Sequence, residues 1–205
     1  MARRASRTPK ATIRPGGCIM ALGVGCVVLL VPGLWSSGHR VMAALLLAVL
    51  LAACVLNSFL AHRREAELHR IRTVQSTELA RYHAMDPPEF EHAVAFLCQR
   101  DGCHGVQVVG GAGDLGADVT ATAPDGRRIV IQCKRYGPTT KVGSPDLQRF
   151  GGTCYSVHGA QVAAVVTTSV FTQPAVTYGV HHGIRLFDNG ALAGWASRTG
   201  PAPWM

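Results

Sequence analysis

Two long uncharged apolar runs dominate the first third of the chain. One covers about residues 17–36, and the other runs from Val41 through Leu45-Leu46-Leu47 to Ala61. At about 1.5 Å of rise per residue, roughly 20 helical residues cross the ~30 Å hydrocarbon core of a bilayer. The link between the runs is short, which predicts an antiparallel pair of membrane-spanning helices. From residue 62 the pattern changes: Leu68, Ile71, Val74, Leu79 and Tyr82 recur at helical spacing among charged residues, without Gly or Pro, up to Ala84. A juxtamembrane helix over 62–85 is expected there. Asp86-Pro87-Pro88 then marks a boundary, because proline disfavours helix in the residue before it and suits a helix start after it.

Beyond that boundary the periods alternate. Phe90, Val94, Leu97 and Cys98 share one stripe of a helix over 89–100. Val106–Val109 reads as a strand, Gly110–Gly116 as a tight loop, and 117–123 with 128–134 as a hairpin turning at Asp125-Gly126. A helix after Pro145, a strand over 161–167, a helix after Pro174, a strand over 184–187 and a short helix from Ala191 complete the pattern. A hairpin followed by helical crossovers predicts an α/β domain, a mixed sheet flanked by helices. The expected organisation is therefore a basic N-terminus (1–16), a two-helix hairpin (17–61), the juxtamembrane helix (62–85), a globular domain (86–196) and a tail (197–205), with Trp195 in the core and Trp204 in a loose end.

Composition sharpens this picture. Of 205 residues, 48% are hydrophobic and 16% charged, which excludes disorder as the main state. The net charge of +8 would ordinarily point to an acidic partner, but it is unevenly placed. Residues 1–84 hold 11 Lys and Arg against 3 Glu, whereas residues 85–205 hold 9 of each sign. The excess thus flanks the apolar runs, with Arg3, Arg4, Arg7, Lys10 and Arg14 before the first and Arg63 and Arg64 after the second. By the positive-inside bias, both termini and the globular domain are expected on the cytoplasmic side of a cell membrane. Cys98, Cys103, Cys133 and Cys154 would then be reduced, and Cys98-x4-Cys103-His104 lacks a second ligand pair at zinc spacing.

Gly111–Gly116 fits G-x-G-x-x-G, but that motif serves a dinucleotide by opening a helix, and here a strand follows. The loop instead directs Asp114 and Asp118 toward one strand end. Alternation places Gln132 and Lys134 on one face of their strand, and a turn at Asp125-Gly126 brings Asp118 opposite them. A carboxylate, an amide and an ammonium together suit phosphodiester hydrolysis. Asp118, the Gln132 amide oxygen and the Cys133 carbonyl would hold a divalent cation, with Lys134 orienting the nucleophile or balancing charge. His181-His182 reads as a surface or cap pair. Thr167-Thr168-Ser169 reads either as a phosphate contact or as the cap of the next helix.

The ordered series Phe90-Glu91, Gly110–Asp118, Gln132-Cys133-Lys134-Arg135-Tyr136, Val166–Thr172 and Leu186–Leu192 resembles the catalytic domain of Mrr-type restriction endonucleases, a branch of the PD-(D/E)xK nuclease superfamily. The resemblance covers roughly residues 86–196. It implies a restriction-endonuclease-like fold, Mg2+-dependent cleavage of DNA with Mn2+ as a substitute, and an active site on Asp118, Gln132 and Lys134. It also implies that Glu91, on the first helix, completes the metal site. Asp114 falls in the family's G-D-x-G loop, where structural and catalytic roles are both open. Gln132 in place of an acid is this branch's own variant. The expected partners are DNA and the lipid bilayer, with a homodimer if both strands are cut. A non-cleaving, membrane-tethered DNA-binding or sensor module is the alternative, since Arg127, Arg128, Arg135, Lys141 and Arg149 can track phosphates without chemistry.

Overall fold

The computed structural model describes residues 40–205, except Ala112. The basic N-terminus and the first apolar run, 17–36, lie outside the described residues. The chain divides into two units, residues 1–66 and 67–205. In the first unit the described residues form the leading part of helix α1 (Arg40–Ala84), which runs unbroken because no Gly or Pro interrupts it. Ala44–Ala84 is, by length and composition, the one helix among the described residues able to cross a membrane. Its apolar side chains are exposed, Val41 to 73% and Val55 to 68%.

In the second unit the order is α2 (Pro87–Arg100), β1 (His104–Val108), β2 (Val119–Thr122), β3 (Arg128–Lys134), α3 (Ser144–Cys154), β4 (Val162–Thr167), α4 (Gln173–His181), β5 (Ile184–Phe187) and α5 (Asn189–Ala196). The five strands lie in sequence order. β1, β2 and β3 are antiparallel, and β3, β4 and β5 are parallel. This is the mixed sheet that the pattern predicts. Asp86 caps α2, its carboxylate accepting from the Glu89 N–H while Glu89 returns a carboxylate to the Asp86 N–H. β1 begins two residues before the expected strand and carries a register shift between His104 and Gln107.

Alternation along β3 divides the interior. Ile129, Ile131 and Cys133 face α2 and α5, joined by Phe90, Val94, Leu192 and Trp195. Val130 faces α3 and α4, joined by Leu147, Phe150, Val165 and Ile184. The helical part of α1 in this unit is anchored by Tyr82, 3% exposed, whose ring meets Phe90 edge-on at 5.8 Å.

Two expectations are corrected. Trp204 is no loose end: it is 4% exposed and packs edge-on against Trp195 at 5.8 Å, because an indole this large gains more from the apolar face beside α5 than from water. Capping of α4 falls to Thr172, whose hydroxyl accepts from the Ala175 N–H, and not to the Thr167–Ser169 run.

Candidate active site

Antiparallel pairing of β1 to β3, parallel pairing of β3 to β4 and the contact of Glu91 with Gly110 gather five segments at one end of the sheet: the start of α2, the loop after β1, the start of β2, and the ends of β3 and β4. Register places Val119 opposite Ile131, so the residue before it, Asp118, faces Gln132. The Asp118 N–H donates to the Ile131 carbonyl, and its own carbonyl accepts from the Val109 N–H. Its peptide therefore bonds to strands on both sides. Its carboxylate then replaces the next ladder acceptor, taking the Cys133 N–H on Oδ2 at 2.6 Å.

Asp118 is 7% exposed, and burial pushes its pKa up to about 6. The Cys133 N–H opposes that shift, the Glu91 carboxylate adds to it, and Lys134 offsets part of it. Glu91 is raised as well, first by burial and then by the charge of Asp114. Burial raises the Cys133 thiol on the other side of the strand.

Gln132 is 6% exposed, and its Oε1 is buried without a hydrogen-bond partner. A buried amide oxygen left unpaired costs free energy, so it marks a place where an acceptor is held ready. Gln132 shares a cleft of about 410 Å3 with Leu115, Gly116, Arg149 and Thr153. Glycine is required beside it: Gly116 has φ +86°, and an added Cβ would lie 3.0 Å from Gln132 Nε2.

Asp114 serves the loop itself. Its two carboxylate oxygens accept from the Gly111 and Gly116 N–H groups, and the Thr153 hydroxyl on α3 ties the loop down through the Leu115 carbonyl. Gly110 carries a further constraint that sequence reading missed. An added Cβ there would lie 2.4 Å from Glu91 Oε2, so the glycine makes room for that carboxylate. Nothing in the spacing of the two residues signals this contact.

The five basic candidates separate. Arg135 and Lys141 lie on the loop after β3, and Arg149 lines the cleft, paired with Asp146. Arg127 and Arg128 sit at the other end of β3, about 20 Å away at ~3.3 Å per residue. There Arg127 pairs with Asp125 and donates to the Trp204 carbonyl, and Arg128 donates to the His158 carbonyl. The structure thus does not bring these two to the site. The hairpin turn that sets the register of Asp118 also carries them to the opposite end of the sheet. His181 and His182 are exposed, with His182 stacked on Tyr178. Among the described residues no three His, Cys, Asp or Glu converge as a metal centre. The oxygen donors at the sheet end are instead carboxylate, amide and main-chain carbonyl.

No curated protein matches the chain. Three solved structures are similar in part. A protein of unknown function, AF1548, is 23% identical with a TM-score of 0.41, covering 50% of this chain and 58% of its own. The DNA modification-dependent restriction endonuclease AspBHI is 17% identical with a TM-score of 0.47, covering 64% and 36%. The MspJI restriction endonuclease, solved in complex with a 27-mer oligonucleotide, is 19% identical with a TM-score of 0.39, covering 65% and 31%. The chain thus spans less than two thirds of each. The restriction endonuclease family model Mrr_cat matches residues 82–196, more than half of the chain and close to the expected 86–196. With that match, over the segment that holds the sheet and its gathered carboxylate, amide and ammonium residues, the chain belongs to the Mrr_cat restriction endonuclease family.

Proposed function

We propose that this protein is a divalent-metal-dependent DNA endonuclease anchored in a membrane, with Asp118, Gln132, Lys134 and Glu91 as its catalytic residues. The observation that carries this reading is the unpartnered, buried Gln132 Oε1 on the strand position that faces the buried Asp118. An acceptor oxygen without a donor, on the strand facing a carboxylate residue, suits a hard cation, which takes oxygen ligands. Asp118, Gln132 and the Cys133 carbonyl would hold Mg2+ or Mn2+, with Glu91 completing the set. The cation would supply charge stabilisation at the phosphate and a water of lowered pKa.

The chain's own groups do the rest. Gln132, being neutral, leaves the site one negative charge short of an all-carboxylate set, which eases the approach of an anionic phosphodiester. Lys134 supplies positive charge where charge develops in the transition state. Arg149, Arg135 and Lys141 lie near enough to this end to hold flanking phosphates, and such binding weakens steeply with salt.

The membrane part of the proposal rests on residues 41–61, which at ~1.5 Å per residue span about 30 Å as a helix, and on the basic flanks. In this reading the N-terminus and the nuclease domain are cytoplasmic. A double-strand product would require two sites, and so a homodimer.

The full chain, purified in detergent micelles, is expected to nick or cut DNA with Mg2+ or Mn2+ and to lose this with EDTA. Lys134→Ala should abolish it. Retained cleavage in Lys134→Ala would refute the site assignment, and salt-sensitive binding without cleavage would favour a non-cleaving DNA-binding module. A milder change tests Glu91: Gly110→Ala should leave the unfolding midpoint within about 2 °C, since only the end of a flexible side chain must move. It should weaken metal-dependent cleavage roughly tenfold by displacing the Glu91 carboxylate. Unchanged cleavage at limiting Mg2+ would remove Glu91 from the site.

A further inference from the structure

Three consecutive hydroxyl residues stand buried at the end of β4. Thr167, Thr168 and Ser169 are 0%, 0% and 2% exposed. Strand β4 pairs with β3 up to the Lys134–Thr167 position. Beyond that pair Gly137-Pro138 leads the chain away from the ladder, and main-chain carbonyls there would go without donors.

Hydroxyls supply donors to the Tyr136 and Thr140 carbonyls, and one adds to the Tyr136 and Thr168 N–H groups that reach the Lys134 carbonyl. Thr167 Oγ1 donates to the Lys134 carbonyl at 2.7 Å and accepts from the Ser169 N–H at 3.1 Å. Thr168 Oγ1 donates to the Tyr136 carbonyl at 2.8 Å and accepts from the Tyr136 N–H at 3.0 Å. Ser169 Oγ donates to the Thr140 carbonyl. Direct main-chain pairing ends at the Lys134 carbonyl, which also accepts from the Thr168 N–H at 3.4 Å, and resumes at Val142, whose N–H donates to the Val170 carbonyl and whose carbonyl accepts from the Thr172 N–H. Between these two stretches, residues 135–140 are tied to β4 through side-chain hydroxyls, at Tyr136 and at Thr140.

We propose that Thr167, Thr168 and Ser169 are positioning residues. They fix the main chain of Lys134 and of the loop that presents Arg135 and Lys141, and through it the direction of those three cations. Side-chain direction at Lys134 depends on its main chain, since a one-residue slip at a strand end reverses the face. The consequence for cleavage rests on the nuclease reading above, but the clamp itself does not.

The test uses the full chain in detergent micelles, with Thr168→Val to remove the hydroxyl at nearly constant shape, Thr168→Ser to restore it, and Ser169→Ala as an independent second site. Hydrogen exchange over 134–142 is expected to accelerate about tenfold in Thr168→Val, centred on Tyr136, with Ile129–Ile131 unchanged. Thr168→Ser should return it to the wild-type rate. With saturating DNA and Mg2+, kcat should fall roughly 10- to 100-fold in Thr168→Val and recover in Thr168→Ser.

Unchanged exchange over 134–142, loss of protection spread evenly over the sheet, or failure of serine to rescue would each overturn the clamp. If the wild-type protein does not cleave DNA at all, the nuclease reading fails by itself. The exchange measurements still support or overturn the clamp.

Discussion

Asp118→Asn is expected to abolish DNA cleavage and, at the same time, to raise the unfolding midpoint of the metal-free protein at pH 7. The two effects have one cause. Asp118 is 7% exposed, and burial holds its pKa at about 6, above the ordinary 3.8. The folded state thus binds the proton more tightly than the unfolded state. The stability this confers is fully present below about pH 4 and is lost as pH rises through about 6. At pH 7 the ionised carboxylate costs on the order of 2–3 kcal/mol relative to the unfolded chain. Asparagine removes the charge and keeps an oxygen for the Cys133 N–H. Thermal unfolding in EDTA from pH 4 to pH 8 should therefore show the variant more stable than wild type at pH 7, with the gap closing by pH 4. A variant less stable at pH 7 would contradict the burial argument. Cleavage should fall at least roughly a hundredfold, and added Mg2+ should stabilise the wild type but not the variant.

Trp204→Ala should produce the largest loss of stability, about 3–5 kcal/mol, because truncating a buried indole forfeits both transfer energy and packing. In the structure the indole is 4% exposed, lies edge-on to Trp195, and is followed by a main chain held through Arg127 to the Trp204 carbonyl and through Arg185 to the Met205 carbonyl. Trp195 in turn meets Phe187 edge-on at 5.9 Å. The unfolding midpoint should drop by roughly 10 °C for a domain of this size. A change under about 2 °C would show that the segment after residue 196, beyond the family match, is not part of the core.

Much of the site was legible because it depends on local rules. The Asp125-Gly126 turn sets the register of the β2–β3 hairpin, and that register alone puts Asp118 opposite Gln132. Strand alternation separates Gln132 and Lys134 from Cys133. What local rules do not carry is the position of a residue along the sheet. Arg127 and Arg128 are six or seven residues from Lys134 in sequence, yet an extended strand turns that interval into about 20 Å. Asp114 stands four residues from Asp118 in an acidic-looking motif, but its carboxylate is consumed by the Gly111 and Gly116 N–H groups.

The order of elements, the mixed sheet and the gathering of Asp118, Gln132 and Lys134 follow from the sequence by itself, since hydrophobic period, turn chemistry and pairing register are short-range properties. Only the tertiary structure decided that Trp204 belongs to the core, that Gly110 is open for Glu91, and that the Thr167–Ser169 hydroxyls hold the end of β3. Each of these is a contact between segments far apart in sequence. Such contacts are set by how whole elements pack, and no local spacing encodes them.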